Sequence, residues 1–126
     1  MNTDTLKKGF IEFVEGGIDE ENKSRFRLAI TAYFKAISQL CDLMILKRTG
    51  FLPHNHTERF RILEQQSRET YDIVNMSFKI YRDTYSRTLD KETCVKVKNE
   101  IPKIIRLGKL EEEFKDLIQQ IQGQNN

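Results

Sequence analysis

The chain has 126 residues, of which 32% are charged and only eight are glycine or proline. This length is enough for one domain with a buried core but too short for two, and the composition is typical of a soluble helical protein. The net charge of +2 argues neither for nor against a nucleic-acid partner.

The first helix is predicted within residues 1–17. Its apolar face is formed by Leu6, Phe10, Phe13 and Val14. Gly16 and Gly17 should end it, because glycine adopts the left-handed cap conformation without steric cost. Asp19 or Asn22 should then begin the second helix.

The second helix is long and has the clearest apolar stripe in the chain. Its core positions repeat at spacings of four and three: Phe26, Ile30, Tyr33, Ile37, Leu40 and Met44. The small side chains beside this stripe are Ala29, Ala32 and Ala36, and they should let another helix approach closely. Thr49 and Gly50 should end the helix, and Pro53 should keep the following loop from re-entering it.

A short third helix and an aromatic fourth helix should follow. Asn55 and Glu58 have the spacing of a capping box, although Thr57 could equally be the cap. The inward residues of the third helix are Phe60, Ile62 and Leu63. Ser67 should separate it from the fourth helix. The fourth stripe is dense in aromatic side chains and should form core or a protein interface: Tyr71, Val74, Phe78, Tyr81 and Tyr85.

Asp90 should cap a fifth helix. Its apolar positions are Cys94, Val97, Ile101 and Ile104. Pro102 either kinks this helix or begins a new one, and Gly108 loosens the chain before an amphipathic extension over residues 109–122. With no strand pattern and no internal repeat, the sequence predicts an all-α fold in one domain, 1–126. We expect an up-and-down bundle of about four core helices with extra terminal helical segments.

Charge is distributed unevenly along the chain. Residues 1–22 hold six acidic and two basic side chains, whereas residues 23–56 hold six basic and one acidic. Charge matching between solvated helix faces is the favoured interpretation, and a phosphate-facing surface on the second helix is the alternative. Residues 57–91 hold seven basic against six acidic side chains, which is not a basic patch.

The two cysteines, Cys41 and Cys94, lie in apolar helical contexts and should be buried, reduced thiols. No apolar run approaches the ~18 residues of a membrane span, and no signal peptide opens the chain. We therefore expect a cytoplasmic protein without a membrane partner. His54 and His56 lack an accompanying carboxylate or thiol pattern, so no metal site and no cofactor are predicted.

The candidate chemistry lies in the stretch FKIYRDTYSR, residues 78–87. It should place Arg82, Asp83 and Tyr85 on one amphipathic helix beside the aromatic stripe. Arg82 and Arg87 could clamp a phosphate, because a guanidinium presents a fixed fork of hydrogen-bond donors. Arg82 and Arg87 are therefore the candidate phosphate-binding residues.

From Ala29 to about Ile105 the chain resembles the HEPN domain family. The segment AYFKAISQLCDLMILKRTGFLPHNH is similar to that family's long second helix and histidine-bearing loop, and residues 78–87 resemble the helix with its arginine motif. The resemblance implies a helical bundle that usually forms homodimers, with the two arginine-motif helices lining a shared cleft. It also implies a metal-independent ribonuclease, a partner of a minimal nucleotidyltransferase in a toxin–antitoxin pair, or a binding or scaffold module.

The chain departs from the ribonuclease form of that motif. Arg82 and Asp83 match its arginine and polar positions, but serine, arginine and threonine (residues 86–88) stand where its histidine would be. Arg82 and Tyr85 are closer to a branch with a tyrosine ending, so the resemblance makes Arg82, Asp83 and Tyr85 the candidate catalytic residues. Cleaving RNA through its own 2′-hydroxyl needs a base and an acid near neutral pH, which histidine supplies and arginine or a typical tyrosine does not.

We therefore expect a homodimeric nucleotide- or RNA-binding or protein-interaction module with weak or no ribonuclease activity. One alternative is an active endoribonuclease toxin that uses Arg82, Asp83, Tyr85 and Arg87. Another is the helical partner of a minimal nucleotidyltransferase, modified on a tyrosine such as Tyr85. Two points depend on the fold: whether Arg82 is merely ion-paired with Asp83 or Asp72, and whether a loop histidine lies near it.

Overall fold

The computed structural model describes residues 2–123 and confirms an all-α helical bundle. No strand occurs in this part of the chain. The six helices are α1 (Thr3–Asn22), α2 (Phe26–Thr49), α3 (His56–Gln66), α4 (Arg68–Asp83), α5 (Lys91–Leu107) and α6 (Lys115–Gly123). Helix α2 is central and contacts α1, α3, α4 and α5.

The contacts along α2 give the direction of its neighbours. Helix α1 is antiparallel to α2, because Gly17 lies against Tyr33 while Gly9, eight residues earlier, lies against Gln39. Helix α4 is also antiparallel to α2. Its Phe78 packs against Phe34, whereas Thr84, which caps its C-terminal end, accepts a hydrogen bond from Arg27 in the first turn of α2. Helices α1, α2 and α4 therefore alternate in direction.

Helix α5 completes the up-and-down arrangement. Its C-terminal cap, Gly108, lies against Met44 near the end of α2. Its first turns face the opposite end of the bundle, where Cys94 and Lys98 contact Glu21 at the end of α1. Four helices, α1, α2, α4 and α5, thus enclose the core, and α3 packs against α2 and α4.

Helix α1 does not end at Gly16 and Gly17, so that prediction is wrong. It continues to Asn22, and α2 begins at Phe26 after the turn 23–25 rather than at Asp19 or Asn22. Gly17 serves close packing, because a Cβ placed there would lie 2.4 Å from the Cε1 atom of Tyr33. The glycine allows α1 and α2 to approach and does not terminate the helix.

The other predicted helix ends are largely confirmed. Gly50 caps α2 in the left-handed conformation, with φ of 80°. Asn55, Ser67 and Asp90 each accept a hydrogen bond from the backbone N–H three residues later, so Asn55 rather than Thr57 caps α3.

Two boundaries in the second half of the chain differ from the prediction. Helix α5 runs without interruption past Pro102, which therefore does not begin a new helix. The C-terminal extension is helical only from Lys115, because residues 111–114 form turns. Glu113 in this turn pairs with Lys7 and with Lys47, 3.0 Å away, and so fastens the extension to α1 and α2.

Most of the predicted core is buried, although Tyr85, the last member of the fourth stripe, is exposed. The members of the predicted stripes that are buried include Leu6, Phe10, Val14, Ile30, Tyr33, Ile37, Leu40, Met44, Leu63, Val74, Val97, Ile101, Ile104, Leu117 and Ile121. Phe13, Phe26, Phe60, Tyr71 and Phe78 pack against them while half-buried. Cys41 and Cys94 are buried free thiols, and burial raises the pKa of each to about 12.

Helix α2 is long and apolar enough to cross a membrane by length and composition, which the sequence-based expectation did not foresee. In the bundle, 67% of its most apolar window is buried. Such burial is typical of the core helix of a water-soluble bundle, which meets the same length and composition criterion.

Candidate functional site

Phe78 lies at the centre of an aromatic cluster between α2, α3 and α4. Its ring centroid is 5.7 Å from those of Phe34 and His56, 5.4 Å from that of Phe60 and 6.3 Å from that of Tyr81. Tyr81 also stacks on Phe34 at 4.7 Å. These contacts fix the C-terminal half of α4, which holds residues 78–83 of the predicted motif, against the bundle.

Arg82 is exposed and lies over Phe78, with its Cζ atom 5.3 Å from the ring centroid. Asp72 pairs instead with Arg68, at 3.3 Å, and within residues 2–123 Arg82 forms no ion pair with Asp83 or any other acid. The ion-paired alternative for Arg82 is therefore wrong. A guanidinium on an aromatic face keeps its charge and its donors for an anion.

The fold brings His56, the first residue of α3, to the same aromatic cluster. Its Nδ1 atom lies 2.7 Å from Nη1 of Arg59. Arginine is always protonated, so Arg59 donates and His56 accepts. The proton of the neutral imidazole is therefore on Nε2. His56 and His54 are both exposed residues, and the backbone N–H of His54 donates to Glu58.

Arg59 is fixed by a buried ion pair that sequence reasoning missed. Its Nε and Nη2 atoms donate to Oδ1 and Oδ2 of Asp42 at 2.7 and 2.9 Å, and the two side chains are only 11% and 12% exposed. This is the paired, fork-to-fork geometry that arginine forms with a carboxylate. The available signal was Asp42 itself, an acid between Cys41 and Leu43 in the apolar half of α2.

These contacts determine what His56 can do chemically. Although His56 is an exposed residue, partial burial of its ring lowers the pKa of His56, the charge of Arg59 lowers it further, and Asp42 opposes the shift. The imidazole is neutral at pH 7, and the lone pair on its Nδ1 atom already accepts a hydrogen bond from Arg59. His56 is therefore no free general base, although its Nε2–H can donate a hydrogen bond.

We expect the free energy of unfolding to fall as the pH is lowered from 7 to 5, partly because of His56. Its pKa in the folded protein lies below the ordinary 6.5, so the unfolded chain binds more protons in this range and stability rises with pH. The measurement is the urea midpoint at pH 5, 6 and 7 for the wild type and for His56→Gln. His56→Gln should flatten the wild-type dependence of stability on pH; equal pH slopes for the two proteins would contradict this prediction.

Tyr85 does not share a helix with Arg82, contrary to the prediction, because α4 ends at Asp83. Tyr85 lies in the following turn, is 76% exposed, and has its hydroxyl 3.2 Å from that of Tyr81. This hydrogen bond, with burial, raises the pKa of Tyr81. Tyr81 is therefore a protonated phenol at neutral pH and not a base.

Asp83 and Arg87 frame the turn after α4. Asp83 is half-buried, and its carbonyl oxygen accepts hydrogen bonds from the backbone N–H groups of Ser86 and Arg87, at 3.2 and 2.9 Å. The side chain of Arg87 is exposed and forms no ion pair among residues 2–123. The four motif residues are thus divided between the end of α4 and the turn, and two of them are unpaired cations.

The comparisons with known proteins do not assign a family. No protein-family model matches the chain, and neither the curated proteins nor the solved structures gave a match. Among the described residues, no group of three or more histidine, cysteine or acidic side chains is placed to hold a metal ion. The resemblance to HEPN domains remains a prediction from the motif.

Proposed function

We propose that this protein is a HEPN-like homodimeric module that binds RNA or nucleotides at the C-terminal end of α4 and cleaves RNA weakly or not at all. One contrast supports the proposal: Arg82 is exposed and unpaired, whereas the nearby His56 has its acceptor nitrogen occupied by Arg59. The end of α4 therefore has a phosphate clamp without a base.

The charges along α4 favour binding at this end. Two of the acidic side chains that offset the basic residues in the sequence, Glu64 and Asp72, pair with Arg68 at the start of the helix. Arg82 lies 14 residues further on, which is about 20 Å along a helix. Near the end of α4, residues 79–87 hold Lys79, Arg82 and Arg87 against the single acid Asp83, so this segment keeps a net positive charge.

The missing base also argues against strong catalysis. A general base or acid contributes about 10²–10⁴ in rate, and Tyr81, with its raised pKa, and His56, with Nδ1 engaged, are poor substitutes. The ribonuclease alternative would need one of these groups to be released on substrate binding. The partnership with a minimal nucleotidyltransferase stays a prediction, since no described contact bears on it.

A second apolar stripe on α4 supports the homodimer. Ile73, Met76 and Ile80 repeat at spacings of three and four along the helix. Ile73 and Ile80 are half-buried, but Met76 between them is 49% exposed. A second copy packed along this stripe would cover Met76 and bring two Arg82 side chains to one assembly, which would double the charge offered to a phosphate backbone.

The test is a combined binding and cleavage experiment in EDTA with structured and single-stranded RNA. The wild type, with a mass of two chains in sedimentation equilibrium, should bind RNA and leave it intact. Arg82→Ala should weaken binding about tenfold, the loss expected for one charge-assisted contact. Arg106→Ala is the matched control, because Arg106 is an exposed arginine at the opposite end of the bundle, and it should bind as the wild type.

Two results would overturn the proposal. Cleavage in EDTA that disappears in Arg82→Ala would establish the ribonuclease alternative. Equal affinity of Arg82→Ala and the wild type would show that this arginine is not the phosphate-binding residue.

A further inference from the structure

A groove of about 390 Å³ runs between the first half of α2 and the end of α4, and we call it the α2–α4 groove. The residues that matter for its chemistry are Arg27, Leu28, Lys35, Tyr81 and Tyr85. Arg82 does not line it, but the rings of Phe78 and Tyr81 are neighbours at 6.3 Å, so the groove adjoins the Arg82 surface. None of the α2 residues belongs to the arginine motif.

The α2–α4 groove has two cations and no acidic lining residue. Arg27 donates to the carbonyl oxygen of Thr84 at a long 3.5 Å, and Lys35 lies 6.0 Å from the ring of Phe13. Neither cation forms an ion pair anywhere in residues 2–123. Arg25, by contrast, is 3.7 Å from Glu20. An acidic residue of α1 therefore pairs with Arg25, just before α2, but no acidic residue among those the structure describes neutralises Arg27 or Lys35 in the groove.

The same groove exposes unusually large apolar surfaces. Tyr85 is 76% exposed and Leu28 is 55% exposed. The ring of Tyr85 is nevertheless positioned, because it meets Tyr81 edge-on at 5.9 Å and Tyr81 in turn stacks on Phe34. A supported aromatic ring with an open face, next to unpaired cations, offers a flat ligand both stacking and an anion contact.

We infer that the α2–α4 groove binds an unpaired nucleotide of single-stranded RNA, with the base on Tyr85 and Leu28 and the flanking phosphates at Arg27 and Lys35. The inference rests on the proposed RNA binding. It adds a second contact surface for the RNA and a preference for single-stranded over double-stranded RNA. A duplex offers phosphates but keeps its bases stacked inside, so it cannot use Tyr85. An acidic peptide could meet the two cations, but its carboxylates would gain nothing from the exposed ring.

The experiment measures binding of fluorescein-labelled U12 RNA and of a blunt-ended RNA duplex of two fully complementary strands by anisotropy, at several salt concentrations. Tyr85→Leu should weaken U12 binding about tenfold, the loss of one stacked base, and change duplex binding less than twofold. Tyr85→Phe keeps the ring and should bind U12 within about twofold of the wild type.

The cations are tested in the same assay. Arg27→Gln and Lys35→Gln should each weaken U12 binding and reduce the slope of log affinity against log salt by about 0.7, the share of one phosphate contact. Lys96→Gln is the matched control, since Lys96 is an exposed lysine on α5 away from the groove, and it should leave affinity and slope unchanged.

The outcomes separate this inference from the proposed function. If U12 binding is lost in Arg82→Ala but unchanged in Tyr85→Leu, Arg27→Gln and Lys35→Gln, the inference is wrong and the proposed function stands. If the wild type binds neither RNA, both are wrong. A ten-residue glutamate peptide that displaces U12 from the wild type and from Tyr85→Leu equally well would show a merely anion-binding groove and overturn the inference.

Discussion

Replacing Glu21 with alanine should lower the free energy of unfolding by about 3–5 kcal/mol, because it leaves a buried ammonium group without a partner. Lys98 is completely buried, and its Nζ atom donates to Oε2 of Glu21 at 3.0 Å. The other carboxylate oxygen accepts from the hydroxyl of Tyr33 at 2.8 Å. Glu21 thus joins α1, α2 and α5 inside the bundle.

Two further variants show whether the cost comes from the unpaired charge. Tyr33→Phe removes one hydrogen bond and keeps the ion pair, so it should cost about 1 kcal/mol. The triple variant Tyr33→Phe, Glu21→Leu, Lys98→Met removes both charges together with the buried hydroxyl that donates to Glu21, and keeps similar volumes, so it should recover most of the stability lost in Glu21→Ala. Urea unfolding monitored by circular dichroism gives all values; a Glu21→Ala protein within 1 kcal/mol of the wild type would contradict the account.

Arg59→Ala should lower the free energy of unfolding by about 3–5 kcal/mol, because it breaks a buried ion pair. It leaves the carboxylate of Asp42, which is 12% exposed, without the two hydrogen bonds that satisfy it. It also releases Nδ1 of His56 and removes the cation that helps to lower the pKa of that histidine. The pKa of His56 should therefore rise toward its ordinary value.

Arg61→Ala is the control for Arg59→Ala. Arg61 is an exposed arginine two positions further along α3, and its removal should change stability by less than about 0.5 kcal/mol. Urea unfolding measures the stability of both variants, and the NMR titration of the His56 ring measures its pKa. Equal stability of the two variants, or an unchanged pKa of His56 in folded Arg59→Ala, would contradict the assigned contacts.

Most of the helices could be predicted because their signals are local. The apolar spacing of residues such as Ile30, Tyr33 and Ile37 and the caps at Ser67 and Asp90 depend on only a few neighbouring positions. The glycine pair 16–17 was misread because glycine serves both a helix end and a close helix contact, and only the position of Tyr33 distinguishes the two.

The charged residues of the core were missed because they were counted by segment and not by helix face. Lys98 lies between Cys94 and Ile101 at spacings of four and three, inside the buried stripe of α5, and Glu21 follows Ile18 in the same way on α1. These spacings were visible in the sequence. Buried charge at such positions predicts an internal partner.

The candidate site was predicted only in part. The exposure of Arg82 and the loss of the motif histidine follow from the sequence, but the approach of His56 does not, since it depends on how α3 packs against Phe78. The engagement of His56 by Arg59 likewise requires Asp42, which lies 17 residues before Arg59. Tyr85 lies outside the helix that holds Arg82 because α4 ends at Asp83, and the apolar spacing of the sequence did not indicate this end.

An NMR titration of ¹⁵N-labelled protein with U12 RNA most directly tests our proposal that the C-terminal end of α4 binds RNA without cleaving it. We expect the backbone signals of Arg82, Tyr85 and Arg87, with that of Arg27 on α2, to shift progressively, while Arg106 at the other end of the bundle stays unchanged and the RNA remains intact. Absence of shifts, shifts confined to α6, or the appearance of shortened RNA during the titration would contradict the claim.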